Sequence, residues 1–102
     1  MADRLDLQIE LEEILGNRNV YFNPPESLKM KYPCIRYSLE SPDIKRADDR
    51  VYVYTRRYEG VVIDPDPDSV IPESILKAFP MCSLGSHYPA DNLNHFPFTL
   101  YY

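Results

Sequence analysis

Four side chains of the kinds that bind transition metals or act as nucleophile and base occur in the chain: Cys34, Cys82, His87 and His95. The cysteines lie 48 positions apart and the histidines 8, so no short-spaced zinc module is encoded and any such site would have to be assembled by the fold. Neither cysteine stands at a recognisable helix start or beside a base that would favour its thiolate, so a Cys/His nucleophilic pair has no sequence support. Both lie in apolar stretches, PCI and MCS, and read as free, buried thiols. Asp64, Asp66 and Asp68 alternate with Pro65 and Pro67, and three carboxylates could hold calcium through oxygen alone. The turn glycine and distal glutamate of a common calcium loop are missing, however, and the prolines extend the segment and spread the acids apart. A solvated, rigid acidic loop is the better reading. Asp48, Asp49 and Asp91 sit in polar stretches, and none of the three glycines lies in a Gly-rich phosphate cradle. Arg56 and Arg57, between Tyr54 and Tyr58, form a basic and aromatic pair whose members face opposite ways on a strand. They suit pairing with acids across a sheet or a subunit boundary better than nucleic acid. No catalytic residue, metal or cofactor is assigned, and an enzyme is not expected.

The elements that carry these residues belong to one domain, residues 1–102, since folding a chain this short leaves roughly 6,000 Å² of about 17,400 Å² exposed. Hydrophobic residues make up 44% and charged residues 26%, which excludes disordered and low-complexity architectures. A net charge of −5 disfavours a dedicated nucleic-acid binder and attachment to anionic membranes. The opening MADRLDLQIE has three acids and no signal-like apolar block, and no apolar run nears the roughly 20 residues of a membrane span. Synthesis and retention in the cytosol are expected. Nine tyrosines suit half-buried sheets and protein interfaces.

Residues 3–15 predict a helix. Leu7, Leu11, Ile14 and Leu15 make one apolar stripe and Leu5 and Ile9 a second, flanking one; Asp3 would cap the start, and Gly16 and Asn17 the end. Two stripes exceed what one sheet face needs, which hints at an oligomer. Strands are expected at residues 19–22, at 34–40, where Ile35, Tyr37 and Leu39 alternate with polar neighbours, at 51–64, at 81–84 and at 96–102. Gly60 would mark a bulge, Leu28 and Met30 would pin the Pro-bounded stretch 23–33, and Pro97 would put the last strand at an edge or at its own beginning. The charged segment 41–50 reads as a long hairpin loop. Ser69 would cap a short helix reaching Ala78, with Pro72 in its first turn. The expected fold is α+β: a mostly antiparallel sheet of four to five strands with both helices on one face.

Three stretches, PPESLKMKYPCIRY, ADDRVYVYTRRYEGVVIDPDPDSVIP and PMCSLGSHYPADNLNHFPFTLYY, carry a resemblance. They are similar to small neck proteins of long-tailed phages of Gram-positive hosts, a tail-completion family of tail-terminator type often labelled minor capsid proteins. The resemblance implies a structural virion protein, made in the host cytoplasm. It would form a ring, commonly hexameric, that caps the tail tube and joins it to the head connector while DNA passes through the lumen. A head-closure or adaptor ring, or a monomeric module binding a peptide or an ion, is the alternative. In the ring reading Leu5, Ile9, Tyr52, Tyr54 and Tyr58 carry subunit contacts. Asp43, Lys45, Arg46, Asp48, Asp49, Asp64, Asp66 and Asp68 then face neighbouring rings or the lumen.

Overall fold

The computed structural model describes residues 4–25, 28–47 and 50–102, with side chains described for all of these except 41–55. Helix α1 spans Arg4–Leu15. Its spacing puts Leu7, Leu11 and Leu15 in the core, and Gly16, at φ +85°, ends it by donating its amide to the Glu12 carbonyl. A side chain there would strain the left-handed backbone, which is why glycine stands at the stop. The expected Asp3 cap lies outside the described residues.

Six strands follow: β1 (Val20–Phe22), β2 (Cys34–Ala47), β3 (Arg50–Asp64), β4 (Cys82–Leu84), β5 (Tyr88–Ala90) and β6 (Leu93–Tyr101), with α2 (Ile71–Ala78) between β3 and β4. The sheet order is β1-β2-β3-β6-β4, and β5 also pairs with β6. All pairings are antiparallel except β1 with β2, where Val20, Tyr21 and Phe22 run parallel to Ile35, Arg36 and Tyr37. The α+β class and mostly antiparallel sheet are as expected; among the described residues the strand count is six rather than four to five.

Alternation along the strands separates two faces. Ile35, Tyr37, Tyr58, Val62, Phe98 and Leu100 join the three leucines of α1 and Ile75 and Phe79 of the α2 region in the main core. Cys34, Val61 and Ile63 form a smaller cluster on the reverse face, covered by Tyr21, Met30 and Leu93. Met30 thus holds down the 23–33 connection as expected, whereas Leu28 is exposed.

The stretch 41–50 is a correction. It is not a loop: β2 continues to Ala47 and β3 begins at Arg50, with register running from Ser41 opposite Arg57 to Ala47 opposite Arg50. Pro42 and a mixture of acids and bases give this stretch no apolar period, so its residue types do not separate a strand from a loop. Gly60 is no bulge either. It pairs in register with Tyr37 and Phe98, while the register shifts fall at Leu39/Ser41 and Lys45/Arg46.

Two further differences concern the C-terminal third. Tyr88–Ala90, expected within a loop, is β5, turned onto β6 by Asp91 and Asn92 at φ 53° and 64°. Two successive positive φ values make the tight two-residue hairpin that Asp and Asn tolerate. Pro97 sits inside β6 rather than at its start or at an edge. Its carbonyl accepts from the Gly85 amide, so its nitrogen, on the same side of an extended residue, points away from β3 and breaks no bond of that ladder. Ser69 accepts from the Ile71 amide at 3.3 Å, although Val70 is the residue that caps α2.

Candidate assembly surfaces

On α1 the outward stripe is Leu5 and Ile9, 59% and 55% exposed. Exposed Glu10 and Glu13 flank it, and the helix carries one base and four acids, a net −3. At its C-terminal end a shallow groove of about 350 Å³ is lined by Ile9, Glu12, Glu13, Gly16, Asn17 and Arg18. The inward side of the helix is fixed by a polar clasp as well as by leucines. The Tyr37 hydroxyl donates to Gln8 Oε1 at 2.6 Å, and Gln8 Nε2 donates to the Val20 carbonyl at 2.9 Å. Phe22 and Tyr58 flank the Tyr37 ring with centroids at 5.1 and 5.9 Å, and the Arg4 guanidinium lies 4.4 Å from the Phe22 ring centre. Burial pushes the Tyr37 phenol above its ordinary range, the nearby Arg4 partly opposing it.

Beyond Arg56, β3 leaves the partners that flank it in the body: its pairing with β6 ends at Arg57 opposite Tyr101, closed by the mutual amide–carbonyl pair of Arg56 and Tyr102. Residues 41–47 and 50–55 therefore form a two-stranded arm, and among the described residues no third strand joins it. Asp43, Lys45, Arg46, Tyr52 and Tyr54 all lie along this arm, so residues expected to serve two surfaces share one; their side chains lie outside those described. Asp48 and Asp49 lie outside the described residues. Tyr58 is a correction: on the helix-facing side of β3 and 1% exposed, it packs on Tyr37 within the subunit and is not available for a subunit contact.

The acidic turn lies at the far end of β3, whose 15 residues span roughly 46 Å at ~3.3 Å per step. Here too one residue is corrected. Asp64 is 8% exposed, and its Oδ1 accepts the Asp66 amide at 2.9 Å, so it builds the turn rather than presenting itself to a neighbour. Asp66 is exposed and repeats the bond to the Asp68 amide at 2.9 Å. Asn94 Nδ2 ties the turn to β6 by donating to the Asp64 and Pro65 carbonyls.

The metal-type residues are not brought together. Cys34 and Cys82 pack on opposite faces of the sheet. Register puts Cys34, Ile63, His95 and Tyr88 in one row, so Cys34 and His95 stand about 10 Å apart with Ile63 between them. Burial pushes the Cys34 thiol up to about 11, slightly opposed by Arg36, and raises Cys82 also. Such thiols are poor nucleophiles at neutral pH. Both histidines serve as stacking surfaces in the β5–β6 hairpin, His87 on Phe96 at 4.6 Å and His95 on Tyr88 at 4.9 Å.

A cleft missed in the sequence lies on the reverse face, about 350 Å³, open to solvent and lined by Arg36, Ser38, Glu40, Glu59, Tyr88 and Pro97 among others. Odd-even alternation on β2 and β3 could have flagged its charges; the turn that brings Tyr88 over could not be read. Among the described residues no helix is long and apolar enough to cross a membrane. No family profile, curated protein or solved structure matches the chain.

Proposed function

We propose that the chain is a structural subunit of a phage neck, of tail-terminator type, which closes with its own copies into a ring. The ring ends the tail tube, meets the head connector and leaves a lumen for DNA. The observation that carries this reading is the two-stranded arm. An isolated hairpin is marginal in water, and this one extends past every other strand of the sheet, so a partner surface is what would complete it. Exposed Leu5 and Ile9 supply a second apolar surface, on a different part of the subunit. A cyclic ring needs two unlike surfaces of this kind, because each copy offers one to its neighbour and receives the other. Six copies at −5 each would carry a formal −30, and a lumen of that sign lets DNA slide without adhering. The acidic turn, at the opposite end of β3 from the arm tip, is placed to meet a neighbouring ring.

The sequence resemblance to phage neck proteins points the same way. The test is to locate the chain in particles: epitope-labelled protein should be found at the head–tail junction by electron microscopy, and disruption of its gene should give heads and tails that fail to join. Its absence from mature particles would overturn the reading.

A further inference from the structure

We propose that the reverse-face cleft docks an extended peptide segment of a partner protein, one that carries a basic and an acidic side chain two positions apart. Register builds its floor from two cross-strand rows, Arg36, Val61 and Pro97 in one and Ser38 and Glu59 in the next. Val61, Ser38 and Pro97 have short side chains, so the floor is low. Asn23 and Pro24 wall it at the β1 end and Tyr88 at the β5 end. Both walls are held in place: Asn23, at φ 50°, donates its amide to the Tyr37 carbonyl at 2.8 Å, and the Tyr88 ring stacks on His95 at 4.9 Å with the planes 13° apart. From β1 to β5 there are four strand spacings, about 19 Å at ~4.8 Å each, which is the length of about six extended residues.

Charge sets the composition of the occupant. Arg36, Glu40 and Glu59 are exposed around this floor, and among the described residues none of them is ion-paired. Glu59 lies opposite Ser38, so Arg36 is its diagonal neighbour on β2, roughly 7–8 Å away. Glu40 stands on the other side of Ser38. It is the residue that the register shift between Leu39 and Ser41 leaves without a partner, an insertion of the kind that re-aims side chains beside sites. A guanidinium or ammonium placed over Ser38 therefore meets two carboxylates, while Arg36 is left to receive an acid. In an extended peptide the side chains at i and i+2 share one side about 7 Å apart, which matches the diagonal from Glu59 to Arg36. Exposed pairs of this kind are individually weak, so a free amine or amino acid gains little here, whereas a peptide also packs along the trough against Pro97 and Tyr88.

Fluorescence anisotropy of a labelled, capped hexapeptide, Ser-Arg-Thr-Glu-Val-Ser, titrated with the full chain tests the site. Binding should saturate by about 1 mM protein and weaken about fivefold for a peptide with Gln in place of both Arg and Glu. Glu40→Gln/Glu59→Gln should weaken binding of the charged peptide by about as much, and Arg36→Gln should abolish the preference for Glu over Gln at the acidic position. All three positions are exposed, and circular dichroism checks that the variants fold as the parent does. No saturable binding by about 1 mM, or equal binding of the charged and Gln peptides, overturns the proposal. So does charged-peptide binding that neither variant changes, which would place the peptide elsewhere on the chain. Free arginine that competes as well as unlabelled peptide would make the cleft a small-molecule site and overturn the peptide assignment. Binding is read per chain, so it stands or falls independently of whether the copies close into a ring.

Discussion

Gly60 has Tyr37 on one side and Phe98 on the other, and the Phe98 ring lies across the space that a side chain would take. A Cβ there would collide with Phe98 Cζ and stand 2.9 Å from Cε1 and 3.0 Å from the Arg36 carbonyl. Phe98 is buried and cannot swing into solvent, so Gly60→Ala overpacks the core and should cost about 1–3 kcal/mol, read as a lower urea midpoint with an unchanged slope. Tyr37 is a second sensitive position. Tyr37→Phe leaves Gln8 Oε1 without its hydroxyl donor, a loss of about 1–2 kcal/mol in the same measurement, and a variant as stable as the parent would show that the clasp adds nothing. Cys34 makes stability depend on alkaline pH. Its thiol moves from an ordinary 9.0 up to about 11 because burial disfavours the thiolate, so the folded state holds the proton more tightly than the unfolded chain does. The stabilisation is full below pH 9 and is lost as the pH rises through about 11, a fall of roughly 2–3 kcal/mol. Urea titrations of the parent and of Cys34→Ala between pH 8 and 11 isolate this part. The variant starts less stable, having lost core volume, but its curve should decline less steeply.

Among the elements, α1 and the arm divide the labour between fold and surface. The arm lies beyond the end of the β3–β6 ladder, so replacing residues 43–55 by Asn-Gly, which joins the cross-strand neighbours Pro42 and Arg56, should leave the body folded. The melting temperature should change by only a few degrees while the radius of gyration falls from 14.6 Å to about 12 Å, and a body that unfolds on losing the arm would overturn this division. Legibility in the sequence followed the same division. Helix α1, the body of β2 and β3 and the start of α2 declared themselves because each buries one face, and burial writes a period of 3.6 or 2 into the residue types. Leu5 and Ile9 were legible as a surplus stripe for the same reason. The arm carries Pro42 and a mixture of charges without an apolar period, so nothing in its composition separates a strand from a loop. Parallel pairing of β1 was hidden too, because among the described residues of the 23–33 connection no helix announces the crossover. Tyr58 and Asp64 were placed on outer surfaces from their type alone. Only the register, which sets Tyr58 under the helices and closes Asp64 against the Asp66 amide, shows them to be internal.

For the whole molecule, shape and charge act together. The extents are 51 × 26 × 23 Å, and the 14.6 Å radius of gyration exceeds the ~13 Å of a compact chain of this length. Exposed area shows the same excess, 6795 Å² against roughly 6,000 Å² for a monomer of this size. Such a subunit leaves more surface to be covered than its own core can reach, and if copies close into the proposed ring each brings a net −5 to it. Assembly into the proposed ring should respond to salt according to how much of it rests on pairs of opposite charges. Exposed pairs contribute about 0.2–1 kcal/mol each, and a handful of them would sum to about 1–2 kcal/mol. Raising salt from 50 to 500 mM shortens the screening length below the width of such a contact, so association should weaken about 5- to 30-fold. The apolar share from Leu5 and Ile9 is not screened, so some association should persist at 500 mM and vanish only when Ile9→Asp is added. Sedimentation equilibrium across the salt series reads both parts. Association that strengthens steadily with salt would mean that the net −5 repulsion between copies outweighs any pairing of opposite charges, and that apolar burial alone holds them.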